Sequence, residues 1–220
     1  TAETQTRRRN VLVENLLTYE ATFGKHKVSA LAGYSYQDTR YRYLYGYGKG
    51  MTSGIQEIDG ASEGLTTSGN TSRSVLTSLL GRVFYSFDNR YLVTATIRRD
   101  GSSKFGSNYR YGNFPSASVG WNVAEERFVK DKVDWLDQLK IRAGYGVLGN
   151  QEIDDYQYSS VITTGINYPD GNGGVINGAF PKYFANPDIH WEETAMTNVG
   201  IDFLALGNRL SLTADWYVKN

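Results

Sequence analysis

Apolar and polar side chains alternate with a period of two in eight separate stretches of this 220-residue chain. That is the pattern of strands whose two faces meet different surroundings. In the first, Leu17, Tyr19, Ala21 and Phe23 oppose Thr18, Glu20 and Thr22. The second sets Val28, Ala30, Ala32, Tyr34 and Tyr36 against Lys27, Ser29, Gly33 and Ser35, with Leu31 as the exception. Leu79, Gly81, Val83 and Tyr85, followed by Tyr91, Val93, Ala95 and Ile97, form the clearest hairpin, although Leu80, Phe84 and Leu92 break its alternation. The fifth strand carries Ala117, Val119 and Trp121, and the sixth Leu139, Ile141, Ala143 and Tyr145. The seventh carries Thr197, Val199, Ile201 and Phe203, and the eighth Leu210, Leu212, Ala214 and Trp216. An all-β protein of antiparallel, up-and-down strands is predicted.

Connection lengths sharpen this picture. Tight turns are expected at Gly24-Lys25-His26, Asp88-Asn89 and Gly207-Asn208, whose residues tolerate turn dihedrals. Between them lie long polar segments, about Asp38–Ser72, Gly101–Asn113 and Val147–His190. Short turns at one end and long loops at the other are how outer-membrane β-barrels are built. Val123–Gln138 breaks the rule, and its mixture of Phe128, Val129, Val133, Trp135 and Leu136 with charges predicts a small interfacial helix or turn. The first and last strands are long and carry nothing to blunt their edges, so further strands are expected beside both. The whole chain then reads as one partial barrel wall of about eight strands. Plug, N-terminal extension and closing C-terminal strands are expected to be absent from it.

Composition fits a wall between oil and water. Of the aromatic residues, 17 are Tyr, a ring with a polar tip that suits an interface. Phe23, Tyr85, Tyr91, Trp121 and Phe203 fall at the short-turn ends of strands, and Tyr34, Tyr36, Tyr145 and Trp216 at the opposite ends. No run approaches the roughly 18 apolar residues of a membrane-spanning helix. A soluble sandwich that buries the same aromatics is the competing architecture. Lys plus Arg and Asp plus Glu number 23 each, a balance without the footprint of nucleic-acid binding. The one basic cluster, Arg7-Arg8-Arg9, reads as a solvated chain end. Cysteine is absent, which excludes disulfides, thiolate zinc sites and a Cys nucleophile.

Two long segments carry a family resemblance. Arg90-Tyr-Leu-Val-Thr-Ala-Thr-Ile-Arg-Arg-Asp-Gly-Ser-Ser-Lys-Phe-Gly106, continued by Arg110-Tyr-Gly-Asn-Phe-Pro-Ser-Ala-Ser-Val-Gly-Trp121, resembles the signature of SusC/RagA-type, TonB-dependent outer-membrane transporters. Trp135–Gln151, Asn186–Thr194 and Thr197–Phe203 match as well, and the likeness weakens only over Arg40–Ser72 and Gln157–Lys182. The resemblance implies an arc of a large barrel of about 22 strands enclosing a plug. It implies a SusD-like surface lipoprotein as partner, contact with the TonB complex through the plug region, and import of oligosaccharide or peptide across the outer membrane of a Bacteroidetes-like bacterium. Neither enzymatic activity nor a cofactor is implied.

Candidate chemistry is sparse. His26 and His190 have no metal-ligand spacing around them. Asp170-Gly-Asn-Gly-Gly174 lacks most calcium ligands and reads as a turn. Glu125-Glu126, Asp154-Asp155 and Glu192-Glu193 are adjacent pairs on extended chain and point to opposite faces, unlike a glycosidase pair. Charges on the polar parity are more informative, with Glu20, Arg82, Arg98, Asp100, Lys140, Arg142, Asp202 and Asp215 predicted to face an interior. Arg98, Asp100 and Arg142 are candidates for holding or guiding a plug, against the alternative of a wall that merely stays polar. Tyr43, Tyr45 and Tyr47 are candidate substrate contacts, against the alternative of barrel wall extended above the membrane. A passive porin or adhesin barrel and a soluble carbohydrate-binding β-domain are the competing functions.

Overall fold

The computed structural model describes residues 1–52, 54 and 57–220. Residues 53, 55 and 56, within the Asp38–Ser72 segment, lie outside the described residues. Eight strands form a single antiparallel sheet: β1 (Ala2–Phe23), β2 (His26–Lys49), β3 (Glu63–Phe87), β4 (Tyr91–Ser102), β5 (Tyr111–Asn122), β6 (Leu136–Asn150), β9 (Glu192–Ala205) and β10 (Leu210–Lys219). A separate hairpin, β7 (Ile162–Pro169) with β8 (Val175–Pro181), sits in the connection from β6 to β9. Sheet order follows chain order, and among the described residues β1 and β10 each pair on one side only.

Register decides what each face presents. The row Val28, Tyr85, Val93, Val119, Ala143, Val199 and Trp216 runs partner to partner across seven strands. The adjacent row on the opposite face reads Ser29, Phe84, Thr94, Ser118, Gly144, Asn198 and Tyr217. All eight alternations found in the sequence therefore put their apolar parity on one common face. That face is open: Val93, Ile97, Val119 and Ile141 are 41%, 50%, 54% and 38% exposed, and Ala95 is exposed beside them. A soluble sandwich would bury this set together, whereas water-facing proteins rarely show contiguous apolar patches beyond a few hundred Å².

One end of the sheet is made of tight connections. Asp88 and Asn89 have φ of 53° and 55°, the two left-handed residues of a turn whose twist matches a two-stranded hairpin. The Val123–Gln138 connection holds a short 3-10 turn (Val123–Glu125) and a single α-turn, α1 (Arg127–Lys130), as its sequence predicts.

The other end differs from the sequence expectation. Most of Asp38–Ser72 was expected to be loop, yet β2 and β3 run 24 and 25 residues, more than twice the roughly 9–11 needed to cross a bilayer. Tyr and Thr are good strand residues, and Thr pairs well with Thr or Ser across a ladder. Strand with polar surroundings on both sides needs no apolar face, so hydropathy fails to reveal it. Val147–His190 likewise contains β7 and β8, joined by Asp170–Gly174. The Asp170 carboxylate accepts from the Asn172 and Gly174 N–H groups, each at 2.8 Å, so it serves the turn.

In the full-length protein, Ala95→Arg places charge on the outward face near its mid-height and is expected to destabilise the membrane-inserted barrel by about 2–4 kcal/mol. Thr94→Arg, on the opposite face of the same strand between Phe84 and Ser118, is expected to fold normally. Unfolding titrations in lipid vesicles compare the two, and equal behaviour would contradict the face assignment.

Candidate functional site

The polar face of the sheet is a wall braced by its own ion pairs. Arg142 on β6 lies over Gly200 on β9 and reaches Asp215 on β10, with its Nη2 at 2.6 Å from the carboxylate and its Nε at 3.2 Å from Asp202. A Cβ at Gly200 would sit 2.5 Å from Asp215 Oδ1 and 2.6 Å from Arg142 Cζ, so the pair depends on glycine there. Arg98 Nε donates to both oxygens of Asp100 at 2.8 Å, and its Nη2 donates to Ser78 at 3.2 Å. Asp100 is 7% exposed. Small residues leave space between these braces: Ser116, Ser118, Gly144 and Gly146 line a hollow with Thr94 and Asn198.

Of the six residues singled out from sequence, Arg98, Asp100 and Arg142 lie on this polar parity, but the two arginines are apart. Arg142 is in register with Gly120 and Leu92, whereas Arg98 is six residues further along β4, about 20 Å away. Tyr43, Tyr45 and Tyr47 lie in β2 itself. They share the polar parity, are half-buried, and oppose Asn70, Ser68 and Thr66 of β3. They stand about 33 Å or more along β2 from Gly33, the residue level with Arg98. The tyrosines and the charged braces are therefore separate features.

Two clusters that hold the rims together were not foreseen. At the long-loop rim, Trp191 packs on Phe105 and Phe114 at ring-centroid distances of 5.0 and 5.2 Å, with Leu76, Val147, Ile153 and Ile189 around them. Phe105 is fully buried. Trp191 Nε1 donates to the Arg110 carbonyl at 3.2 Å, and Lys104 Nζ donates to the Ile153 carbonyl at 2.7 Å. This core ties the β4–β5 loop to the long β6–β9 connection. Its aromatics lie inside stretches that carry the family resemblance, and Phe105, among polar neighbours in Gly101–Asn113, reads from sequence as loop.

At the short-turn rim, Glu126 is 7% exposed. Its carboxylate accepts from Tyr91 Oη at 2.6 Å, Trp121 Nε1 at 3.1 Å and Arg90 Nη1 at 3.0 Å. Arg90 also donates to Asp88, which takes Lys25 Nζ at 2.9 Å. Three successive turns are thus pinned together. The Tyr91 hydroxyl first, then the Trp121 N–H and the Arg90 guanidinium, hold the Glu126 carboxyl below the usual glutamate range. Lys25 and then Arg90 do the same for Asp88. Glu125 pairs separately with Lys130 at 2.8 Å. The signal available in sequence was an acid just beyond the strand that ends in Trp121.

The family model described as "TonB dependent receptor-like, beta-barrel" matches residues 2–220. The chain belongs to that family. TonB-dependent receptor P39 of Formosa agariphila is 39% identical over 214 residues, covering 94% of this chain and 20% of that protein. TonB-dependent receptor SusC of Bacteroides thetaiotaomicron is 40% identical over 176 residues, covering 78% of this chain and 17% of that protein. Among solved structures, that of the RagAB peptide transporter superposes with a TM-score of 0.90 at 26% identity, covering 99% of this chain and 24% of that one. The chain thus spans about a fifth of the length of the curated relatives it matches.

Because its folded-state pKa is depressed, the Glu126 carboxylate contributes stability that is complete above the ordinary value of 4.5 and lost as pH falls through the lowered one. Glu126→Gln in the full-length receptor is expected to lower the unfolding temperature at neutral pH. It is also expected to flatten the decline on the acid side, read by thermal unfolding in detergent from pH 7 downward. An unaltered acid limb would contradict the clasp.

Proposed function

We propose that residues 1–220 form one arc of a TonB-dependent importer in the outer membrane of a Bacteroidetes-like bacterium. Working with a SusD-like surface lipoprotein, the importer takes up oligosaccharide or peptide. What carries this reading is the shared register that puts the apolar parity of all eight alternating stretches on one face and mostly polar or small side chains on the other, in a wall shaped like that of the RagAB peptide transporter. A passive pore needs no enclosed plug. Here the lining is built to face something specific, with hollows between fixed ion pairs.

Within this proposal Arg98, Asp100 and Arg142 serve the plug. After pairing within the wall, the Arg98 and Arg142 side chains remain 47% and 32% exposed on the inward face, so their free N–H groups are available to the plug's carboxylates and carbonyls. Tyr43, Tyr45 and Tyr47 form a ladder on the same parity above the membrane, where rings beside hydroxyls suit sugar faces or peptide side chains. Energy comes from the TonB complex acting on the plug. A SusD-like lipoprotein closes the extracellular mouth.

The test is uptake by cells carrying the full-length receptor and its lipoprotein. Energy-dependent accumulation of labelled oligosaccharides or labelled peptides, abolished by a protonophore, is expected; protonophore-insensitive entry would instead mark a passive pore. Replacing Tyr43, Tyr45 and Tyr47 together with Ala removes ring contacts of about 0.5–1.5 kcal/mol each. The half-saturating concentration should then rise by roughly tenfold or more. An unchanged value would reduce these tyrosines to plain wall.

A further inference from the structure

Beyond the tyrosine belt, the outward face changes character sharply. Above Tyr34 and Tyr36, successive rows across β1, β2 and β3 read Val11, Asp38 and Val75, then Arg9, Arg40 and Arg73, then Arg7, Arg42 and Thr71. Five guanidinium groups meet one carboxylate. Arg73 takes that carboxylate in a two-bond fork at 3.0 and 2.9 Å, and Arg40 approaches it at 3.6 Å. The cluster Arg7-Arg8-Arg9 is solvent-exposed, as its sequence suggests, and is built into a strand. It is ladder-paired to β2, with Arg7 and Arg9 on the outward face and Arg8 on the inward one.

Like charges directly opposite one another weaken a sheet. Arg7 faces Arg42 and Arg9 faces Arg40, and Arg40 in turn faces Arg73. A chain with no net charge has concentrated its arginines where an external anion would relieve them. Height narrows the choice of anion. From Phe23 to Val13, at about 3.4 Å per residue and a tilt near 40°, the outward face rises about 26 Å, the thickness of the apolar band of such barrels. Arg9 then stands about 10 Å above the edge of the hydrocarbon, at the level of lipid headgroups. A recess of about 180 Å³ lined by Arg9, Val11, Tyr36, Asp38 and Arg40 opens there, continuous with the lipid-facing surface below.

We propose that this patch binds the phosphate groups of a phosphorylated lipid of the outer leaflet, whose acyl chains lie along Val13 and Leu17. The inference rests on the membrane-barrel reading above. Arginine suits phosphate through paired N–H donors, where lysine offers a point charge. Basic clusters beside a membrane-embedded surface select anionic headgroups. The tyrosine below the recess places a polar ring at the boundary between headgroup and chain.

The test uses the full-length receptor inserted in vesicles of neutral phospholipid, titrated with diphosphorylated lipid A or with its dephosphorylated form. Arg9→Gln, Arg40→Gln and Arg42→Gln are combined, leaving the Asp38–Arg73 pair intact. Wild type should favour the phosphorylated lipid by roughly a hundredfold, and the triple variant should lose nearly all of that preference. Barrel insertion and uptake should remain at wild-type level. Equal binding of both lipids by wild type, or an unchanged preference in the variant, overturns the proposal. So does inorganic phosphate that competes as well as the lipid, or loss of self-association with lipid preference intact, which would make the patch a subunit interface. Failure of wild type to insert into vesicles would instead overturn the membrane reading, and this inference with it.

Discussion

Hydrocarbon offers no partner to a peptide N–H or carbonyl, so every backbone polar group that crosses it must be matched to a neighbouring strand. That requirement sets the ladder, and the ladder sets everything else. Because side chains alternate with a strict period of two, one slipped residue between any two strands would turn Arg82, Arg98 or Arg142 toward lipid. The rows from Val28 to Trp216 and from Ser29 to Tyr217 show seven neighbouring strands agreeing on phase. Register shifts occur at Tyr47/Lys49, Leu136/Gln138 and Thr164/Ile166, all at strand ends or in the loop hairpin. Irregularity is kept where water or protein can satisfy the backbone.

Once the backbone is satisfied, the two faces and two rims carry separate tasks. The apolar face carries hydrophobic side chains along most of its height and changes to arginine at Arg7, Arg9, Arg40, Arg42 and Arg73. The inward face must stay polar without wasting charge, and the Arg142–Asp202–Asp215 and Arg98–Asp100–Ser78 sets do this by pairing across or along strands. The rims resist fraying. One is closed by the Phe105–Phe114–Trp191 core, the other by the Glu126 clasp. A conventional interior is almost missing, with only Phe105, Phe114, Val123, Ala124, Trp191 and Ala205 buried among the described hydrophobic residues.

Alternation in single strands was enough to read the sheet, its antiparallel order and its two faces, because the same physical contrast acts on each strand alone. The parts that were not legible depend on pairs distant in sequence. Tyr41–Tyr47 and Glu63–Ser72 look like polar loop until each is seen laddered to the other. Phe105 and Trp191 become a core only when two loops 80 or so residues apart meet. Glu126 looked like half of an adjacent acidic pair, and only the fold places Tyr91, Trp121 and Arg90 around it. Arg7 and Arg9 carried no meaning beyond charge until register set Arg40 and Arg42 opposite them.

The account stands or falls on which side chains of one strand meet lipid. Spin labels placed singly at Val93, Thr94, Ala95, Thr96 and Ile97 of the full-length receptor in vesicles report this through collisions with oxygen, which concentrates in hydrocarbon, and with a water-soluble nickel chelate. The account predicts high oxygen and low nickel accessibility at Val93, Ala95 and Ile97, with the opposite balance or general protection at Thr94 and Thr96. Accessibility without a period of two, or low oxygen contact at all five positions, would contradict it.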